Sequence, residues 1–189
     1  MAQLTRLEAV LNADDHDLPE AIASLDRVYL QRIEELTAQI DDLTQQIQAE
    51  GKTRPELRRL QTMSGVGPLT SVAIDSFAPD MRTFRRGRDF AAWLGLVPKQ
   101  HSSGGRDRLG KTSKMGQKDI RRLLISGAMA VLQWAQRSKH IKDPWLARML
   151  AKKPRMMVAV ALANRMARGL WAMIVKKQEF RLSRQAAVA

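Results

Sequence analysis

The chain contains no cysteine and only three histidines, His16, His101 and His140, which lie far apart in the sequence. The absence of cysteine excludes a disulfide framework and thiolate metal sites, and the scattered histidines argue against a zinc site built from protein ligands alone. The longest apolar run, residues 156–163, is much shorter than the roughly 20 residues that cross a bilayer. The first residues also lack the pattern of a signal peptide. We therefore expect a soluble, cytoplasmic protein with no metal ligands and no membrane partner.

Acidic residues are scarce outside the first 50 positions. Residues 1–50 hold eleven acidic and three basic residues, whereas the rest of the chain holds eight acidic and 29 basic residues. Such a concentration of positive charge favours nucleic-acid binding, because lysine and arginine displace the counterions condensed on phosphates. An anionic membrane would attract the same charge, but no segment has the basic amphipathic face with bulky aromatic residues that membrane-surface helices carry. With 189 residues, the chain can bury a core in one domain with an extension.

The acidic N-terminal region carries a coiled-coil pattern. Asp17 and Glu20, with Pro19 between them, fit the start of a helix. We predict that this helix ends at Gly51 and that it self-associates or pairs with another segment. The alternative is an amphipathic helix that folds onto its own domain. The apolar stripe, in which Asp26 occupies one core position, consists of Ile22, Tyr29, Ile33, Leu36, Ile40, Leu43 and Ile47.

Two glycines mark a tight turn between two short helical segments. Residues 55–63 and 71–77 fit the helices, and Gly65, Gly67 and Thr70 belong to the connection between them. Helix, tight turn and helix is the pattern of a helix-hairpin-helix element, whose turn amides and second helix bind a DNA phosphate without reading sequence. A plain helical corner needs glycines as well. The three residues are nevertheless predicted nucleic-acid ligands.

A second glycine-rich segment, residues 98–116, combines hydroxyl groups with positive charge. Ser102 and Ser103 directly precede a pair of glycines, and arginines and lysines follow. Glycine lets a phosphate backbone approach closely, and the cations balance its charge. The segment fits a β-hairpin with its turn near the glycine pair, but also a plain solvated turn between helices. The predicted nucleic-acid ligands here are Gly104, Gly105, Arg106, Arg108, Lys111 and Lys114.

Positive charge also lies on both sides of this segment. Residues 84–88 form a basic turn, after which Asp89 is predicted to cap a short helix over residues 90–96. Trp93, which lies among alanines and leucines, is predicted to belong to the core rather than to stack on bases. The further predicted nucleic-acid ligands are Arg85, Arg86, Arg88, Lys118, Arg121 and Arg122.

The C-terminal half is predicted to contain three helices. The first runs from about residue 117 to 138, the second begins at Pro144 and ends before Pro154, and the third spans residues 155–177. Methionines of the third helix are predicted to fill the core, and its arginines and lysine to form a solvated face. The methionines are Met156, Met157, Met166 and Met173, and the cations are Arg165, Arg168 and Lys176. The buried stripe of the first helix is predicted as Ile120, Leu123, Leu124, Gly127, Val131 and Trp134.

These patterns predict a mainly α protein with three regions. They are an acidic coiled-coil region at 1–52, a basic helical domain at 53–178 and a flexible tail at 179–189. Within the domain, the helix-hairpin-helix element covers about residues 55–77 and the basic loop about residues 98–116.

The order of the motifs resembles a known family of insertion-sequence recombinases, which carry a RuvC-like DEDD domain and are guided by a bridge RNA. The resemblance is to their C-terminal transposase domain and covers about residues 60–175, while the N-terminal stripe resembles the coiled coil that precedes that domain. It implies DNA as substrate, guide RNA as a further partner, and a homo-oligomer through the coiled coil. The motifs are residues 65–70 (GVGPLT), 90–98 (FAAWLGLVP), 102–105 (SSGG), 109–116 (LGKTSKMG) and 121–124 (RRLL).

The resemblance also implies a catalytic residue. In the family, a serine before the glycine of this loop attacks DNA and becomes transiently linked to it; Ser103 matches that position, and Ser102 is the alternative. His101 is a candidate general base, although adjacent residues of an extended loop point apart. The family's Mg²⁺-binding RuvC-like domain has no counterpart in these 189 residues. We therefore expect Mg²⁺ only with that domain, and little or no recombination by this chain alone. The competing hypotheses are a non-catalytic DNA- or RNA-binding module and a coiled-coil assembly factor.

Overall fold

The computed structural model describes residue 9 and residues 19–100, 109–138, 141 and 143–180. This part of the chain is mainly helical, which confirms the predicted fold class. Strands β1 (Pro98–Gln100) and β2 (Leu109–Thr112) lie between the fourth and fifth helices, and a 3-10 helix, Met81–Thr83, precedes the fourth. The α-helices described are α1 (Glu20–Thr53), α2 (Pro55–Gln61), α3 (Pro68–Phe77), α4 (Gly87–Trp93), α5 (Lys118–Arg137), α6 (Pro144–Lys152) and α7 (Arg155–Lys176).

The chain divides into two compact units, Met1–Gln46 and Ile47–Ala189. The first contains most of α1, whose apolar stripe is exposed to solvent: Ile33 is 39% exposed and Ile40 is 61% exposed. A helix occupies this stretch as predicted. Whether the stripe pairs with another copy stays a prediction.

The predicted end of the first helix at Gly51 is wrong, because α1 continues to Thr53. Gly51 is buried, and a Cβ atom there would lie 3.0 Å from the side-chain nitrogen of Gln61 and 3.1 Å from Cβ of Pro68. The Gln61 amide also donates a hydrogen bond of 2.9 Å to the Gly51 carbonyl oxygen. The glycine is therefore explained by close packing of α1 on the connection between α2 and α3, and not by a helix stop.

Helix α7 lies at the centre of the second unit, where it packs against α2, α4, α5 and α6. The prediction that all four methionines fill the core is half wrong. Met166 and Met173 are buried, whereas Met156 and Met157 are 58% and 54% exposed. The buried positions of α7 begin only at Val158, so the first turn projects beyond its packing partners.

The predicted burial of Trp134 is also wrong, because this side chain is 63% exposed. The buried positions of α5 recur mostly every fourth residue, which places Trp134 beside the buried stripe and not within it. These buried positions are Ile120, Leu124, Ala128, Leu132 and Ala135.

Helix α4 begins two residues before the predicted cap, Asp89. The residue preceding the helix is Arg86. The backbone N–H of Arg86 donates a hydrogen bond of 3.0 Å to the Asp89 carboxylate. Asp89 therefore acts from the first turn, the position of the acidic partner in a capping box. Trp93 packs against the core and stacks on Phe90 at a centroid distance of 5.9 Å, as predicted.

Among the described helices, α7 is the one long and apolar enough to cross a membrane by length and composition. However, 44% of its most apolar window is buried inside the fold. Core helices of soluble proteins have the same properties, so this helix is weak evidence for a membrane span.

Candidate nucleic-acid interface

Strands β1 and β2 pair in the antiparallel arrangement that the predicted β-hairpin requires, and we call the two strands the hairpin; its predicted turn near Gly104 and Gly105 lies outside the described residues. Pro98 pairs with Thr112 and Gln100 with Leu109, with an irregularity of register between the two pairs. The segment between the strands, residues 101–108, lies outside the described residues. It contains the predicted nucleophiles and base, and four predicted nucleic-acid ligands, whose roles stay predictions: His101, Ser102, Ser103, Gly104, Gly105, Arg106 and Arg108. Since Gln100 and Leu109 are paired, this segment begins and ends at neighbouring points.

Residues 94–97, which precede β1, and residues 113–116, which follow β2, run side by side; we call these two stretches the hairpin root. The backbone N–H of Ser113 donates to the Val97 carbonyl at 2.8 Å, and that of Lys114 donates to the Gly95 carbonyl at 3.2 Å. These bonds continue the pairing of the strands towards the helical core.

Two glycines permit the close approach of the backbones at the hairpin root. Gly95 and Gly116 have φ angles of 70° and 98°, in the left-handed region that glycine adopts without strain. A Cβ atom at Gly116 would overlap the carbonyl oxygen of Trp93, and one at Gly95 would overlap the backbone of Met115. Both glycines belong to motifs that the sequence analysis singled out, and packing explains them.

Side chains of two helices donate hydrogen bonds to the hairpin root. Arg121 of α5 donates from Nη1 to the Leu94 carbonyl at 2.9 Å, and Asn164 of α7 donates from Nδ2 to the Leu96 carbonyl at 3.1 Å. Arg121 was predicted as a nucleic-acid ligand; one of its N–H groups is engaged within the fold. Sequence reasoning did not single out Asn164, although a lone amide within an apolar helix is a signal of a buried hydrogen bond.

Exposed cations surround the hairpin root. Lys99 lies on β1, and Lys114 follows β2 with a left-handed φ of 54°. Lys118 and Arg122 lie one turn apart on α5 and therefore share a face of that helix. The predicted ligands Lys114, Lys118 and Arg122 are thus brought to one region. The side chain of Lys111, on β2, is outside the described part.

The glycine turn between α2 and α3 is packed against the core on one side. Gly65 has a φ of 87°, and a Cβ atom there would lie 2.8 Å from the carbonyl oxygen of Gly127 in α5. Gly67, by contrast, faces open space and precedes α3, which has no side-chain cap. Thr70 was predicted to belong to the connection, which is wrong, because α3 begins at Pro68 and Thr70 lies buried in its first turn, only 6% exposed. Of the three predicted ligands, Gly67 is the one with an open surface; a helix-hairpin-helix function of the turn stays a prediction.

The remaining predicted ligands precede and begin α4. Arg85, Arg86 and Arg88 are all exposed at the corner that follows the 3-10 helix. Phe84, beside them, packs against Phe90 with a centroid distance of 5.4 Å and fixes the corner to the core.

A different arginine, Arg54, is fully engaged with carboxylates. It contacts Asp75 at 2.7 Å, Glu56 at 2.8 Å and Glu50 at 3.6 Å. The hydrogen bond that Arg54 donates to the Asp75 carboxylate is the largest cause that raises the pKa of Arg54. The pKa of Glu56 is lowered by its own backbone N–H and by Arg54. This network ties the end of α1 to α2 and α3, so it has a structural role and is not available to a phosphate.

The described residues contain no group of three or more histidine or acidic side chains that would suit a metal ion. The donor set of a Mg²⁺ site is therefore not found in this part of the chain.

Comparison with known proteins identifies the helical unit. Residues 57–143, which contain most of α2, all of α3–α5 and both strands, match the Transposase IS116/IS110/IS902 family. These residues are therefore similar to the transposases of this family. The match overlaps the region of the predicted resemblance, about residues 60–175, and supports it at the level of the family.

Three relatives extend the similarity beyond the transposase domain. A "Probable family 20 transposase" of Pseudomonas aeruginosa is 41% identical over 180 residues, which cover 95% of this chain and 53% of that protein. The "Transposase for insertion sequence element IS1111A" of Coxiella burnetii is 34% identical over 75% of this chain and 39% of its own length. The "Transposase for insertion sequence element IS1328" of Yersinia enterocolitica is 31% identical over 90% and 51%. The chain thus spans about half the length of the curated relatives it matches, or less.

Proposed function

We propose that this chain is the part of a DNA transposase that supplies a serine nucleophile for strand cleavage and exchange. The observation that carries the proposal is the hairpin, which lies inside the transposase domain and is held by Arg121 and Asn164. A nucleophile needs a rigid support, because small errors of position reduce the rate of attack strongly. The segment with Ser102 and Ser103 joins the two strands of that support.

The proposed reaction is a transesterification at a DNA phosphate. The Oγ atom of Ser103 forms a bond to phosphorus, and the bond from phosphorus to one sugar oxygen breaks. The hydroxyl proton passes to a base, for which His101 is the candidate, and the departing sugar oxygen takes up a proton. Attack by a sugar hydroxyl of the partner strand then reverses these steps and frees the serine. The negative charge that builds up at phosphorus would be balanced by Arg106, Arg108, Lys111 and Lys114.

The relatives' additional length leaves room for a second half of the site. We propose that Mg²⁺ is bound there by an acidic RuvC-like domain, since the described residues of this chain offer no such donor set. A guide RNA is the further proposed partner. By itself, this chain is expected to bind nucleic acid and to have little or no recombination activity.

The test uses a full-length transposase in which this chain takes the place of the part that matches it. Ser102 and Ser103 of this chain are then replaced by alanine, singly and together. With Ser103→Ala, DNA affinity is expected to stay unchanged, while covalent capture of labelled DNA on a denaturing gel is lost. Ser113→Ala is the matched control, since Ser113 follows β2 in the hairpin root and lies outside the segment that joins the strands, and it should capture DNA normally. Normal capture by Ser103→Ala would transfer the role to Ser102, and normal capture by the double variant would refute the proposal.

A second candidate is a nucleic-acid-binding module without chemistry of its own. The exposed cations around the hairpin root favour it as well. The same double variant distinguishes the two, because a binding module would leave covalent capture to residues outside this chain.

A further inference from the structure

Four exposed arginines from distant parts of the sequence lie together at one corner of the second unit. Arg85, Arg86 and Arg88 precede and begin α4, and Arg168 lies on α7. We call this group the arginine corner. The sequence analysis predicted that Arg168 lies on a solvated helix face. Arg168 is far from the other three arginines in the sequence, so the sequence alone does not group it with them.

Gly87 brings these arginines together. It lies between Arg86 and Arg88, and a Cβ atom on it would be 2.9 Å from the carbonyl oxygen and 3.1 Å from Cα of Arg168. The backbones of α4 and α7 are therefore in contact at Gly87, next to Arg86, Arg88 and Arg168. The Trp171 indole secures this arrangement, since its Nε1 donates a hydrogen bond of 3.0 Å to the Met81 carbonyl.

The four arginines of the corner form no ion pair within the part of the fold that the structure describes. Elsewhere in the unit, by contrast, Arg54 contacts a carboxylate at 2.7 Å, and Arg165 contacts one at 2.6 Å. Asp89 is the adjacent acid, and its carboxylate accepts the backbone N–H of Arg86. Like charges that converge without a partner repel one another, and an anion bound among them removes that cost.

We propose that the arginine corner binds the phosphate backbone of double-stranded DNA, as a contact separate from the hairpin. The corner and the hairpin root lie at opposite ends of α4, a helix of seven residues and so about 10 Å long. That length is comparable to the width of the DNA major groove, roughly 12 Å, so the two surfaces can each meet one strand of a duplex. The narrow major groove of duplex RNA fits this spacing less well. The inference rests on the proposed function only in taking DNA as the substrate.

The experiment measures binding of the 189-residue chain to a random-sequence DNA duplex by fluorescence anisotropy at several salt concentrations. Each phosphate contact contributes about 0.9 to the slope of log affinity against log salt. Arg168→Gln is therefore expected to lower the slope by about one, so that the affinity ratio between 50 and 200 mM salt falls roughly fourfold. Arg168→Lys, which keeps the charge, is expected to retain the slope. Neutralisation of all four arginines should lower the slope by about three to four.

Arg148→Gln is the matched control, because Arg148 is an exposed helical arginine on α6. An equal loss of slope in this control would overturn the proposal, since the effect would then follow from net charge alone. An unchanged slope in Arg168→Gln would overturn it too, as would a loss seen with duplex RNA but not with duplex DNA. Far-UV circular dichroism verifies that the variants are folded. The experiment measures non-covalent binding. A negative result would therefore refute the arginine corner as a DNA contact but not the proposed role of Ser103. Conversely, a failed test of covalent capture by Ser103 would not refute the arginine corner.

Discussion

Replacement of Gly127 by alanine tests how the glycine turn packs on α5. At an open position inside a helix, this change stabilises a protein by about 1 kcal/mol, because glycine loses more backbone entropy on folding than alanine does. At Gly127 the added Cβ atom would overlap the Gly65 carbonyl oxygen and lie 3.0 Å from the Gly65 carbonyl carbon. Both atoms belong to the backbone, so no side-chain rotation relieves the overlap.

The magnitude follows from the movement that the overlap requires. Real Cβ atoms essentially never lie closer than 3.0 Å to another heavy atom, so the turn would have to move away from α5 by about 1 Å or more. Met63 and Val66, which are buried on either side of Gly65, would lose a quarter to a half of the dispersion energy of their contacts. Overpacking of this kind costs about 1–3 kcal/mol and occasionally more. We expect a net loss of about 2 kcal/mol, which lowers the Tm by about 4–8 °C.

The assay is urea unfolding followed by circular dichroism, with two glycine variants as controls. Gly169→Ala is also within a helix, but its Cβ would meet Cε of Met63 at 2.6 Å, the far end of a flexible side chain. It should leave stability unchanged or raise it by up to about 1 kcal/mol. Gly67→Ala has no neighbour within 4 Å and should change stability by less than about 0.5 kcal/mol. A Gly127→Ala variant as stable as the parent, or a Gly169→Ala variant that loses as much, would refute the packing argument.

Three further predictions address the hairpin root, the arginine network and the helical stripe. Asn164→Leu leaves the Leu96 carbonyl without its donor and should lower the free energy of unfolding by about 1–3 kcal/mol in the same assay; a loss below 0.5 kcal/mol would contradict the role of this hydrogen bond. Glu56 has a folded-state pKa below its ordinary value of 4.5, so its ionised form stabilises the fold above that pH, and this contribution is lost as the pH falls through the folded pKa. Glu56→Gln should therefore be less stable than the parent at pH 7 and equally stable at pH 2; a difference independent of pH would contradict this. If α1 self-associates, a Leu36→Glu, Ile40→Glu variant should sediment as a smaller species than the parent, whereas an unchanged mass would exclude the stripe from the interface.

Local sequence patterns determined most of the helical architecture. The helices from Pro144 and from residue 155 were predicted within a residue or two, because proline and capping residues act on their own neighbours. The opposite net charge of the two regions, the two strands of the hairpin and the order of family motifs could likewise be predicted from the sequence. The match of residues 57–143 to the transposase family agrees with the last of these.

Tertiary structure decided which of these residues face one another. Gly51 looked like a helix stop and Trp134 like a core residue, and in both cases the neighbours that determine the outcome are set by helix packing. The contact of Gly65 with Gly127 and that of Gly87 with Arg168 join positions far apart in the chain. Periodicity gives the faces of a helix but not the rotation and distance at which a second helix meets it, since these depend on how all the side chains pack together. The arginine corner is therefore a property of the fold, whereas the basic character of the domain is a property of the sequence.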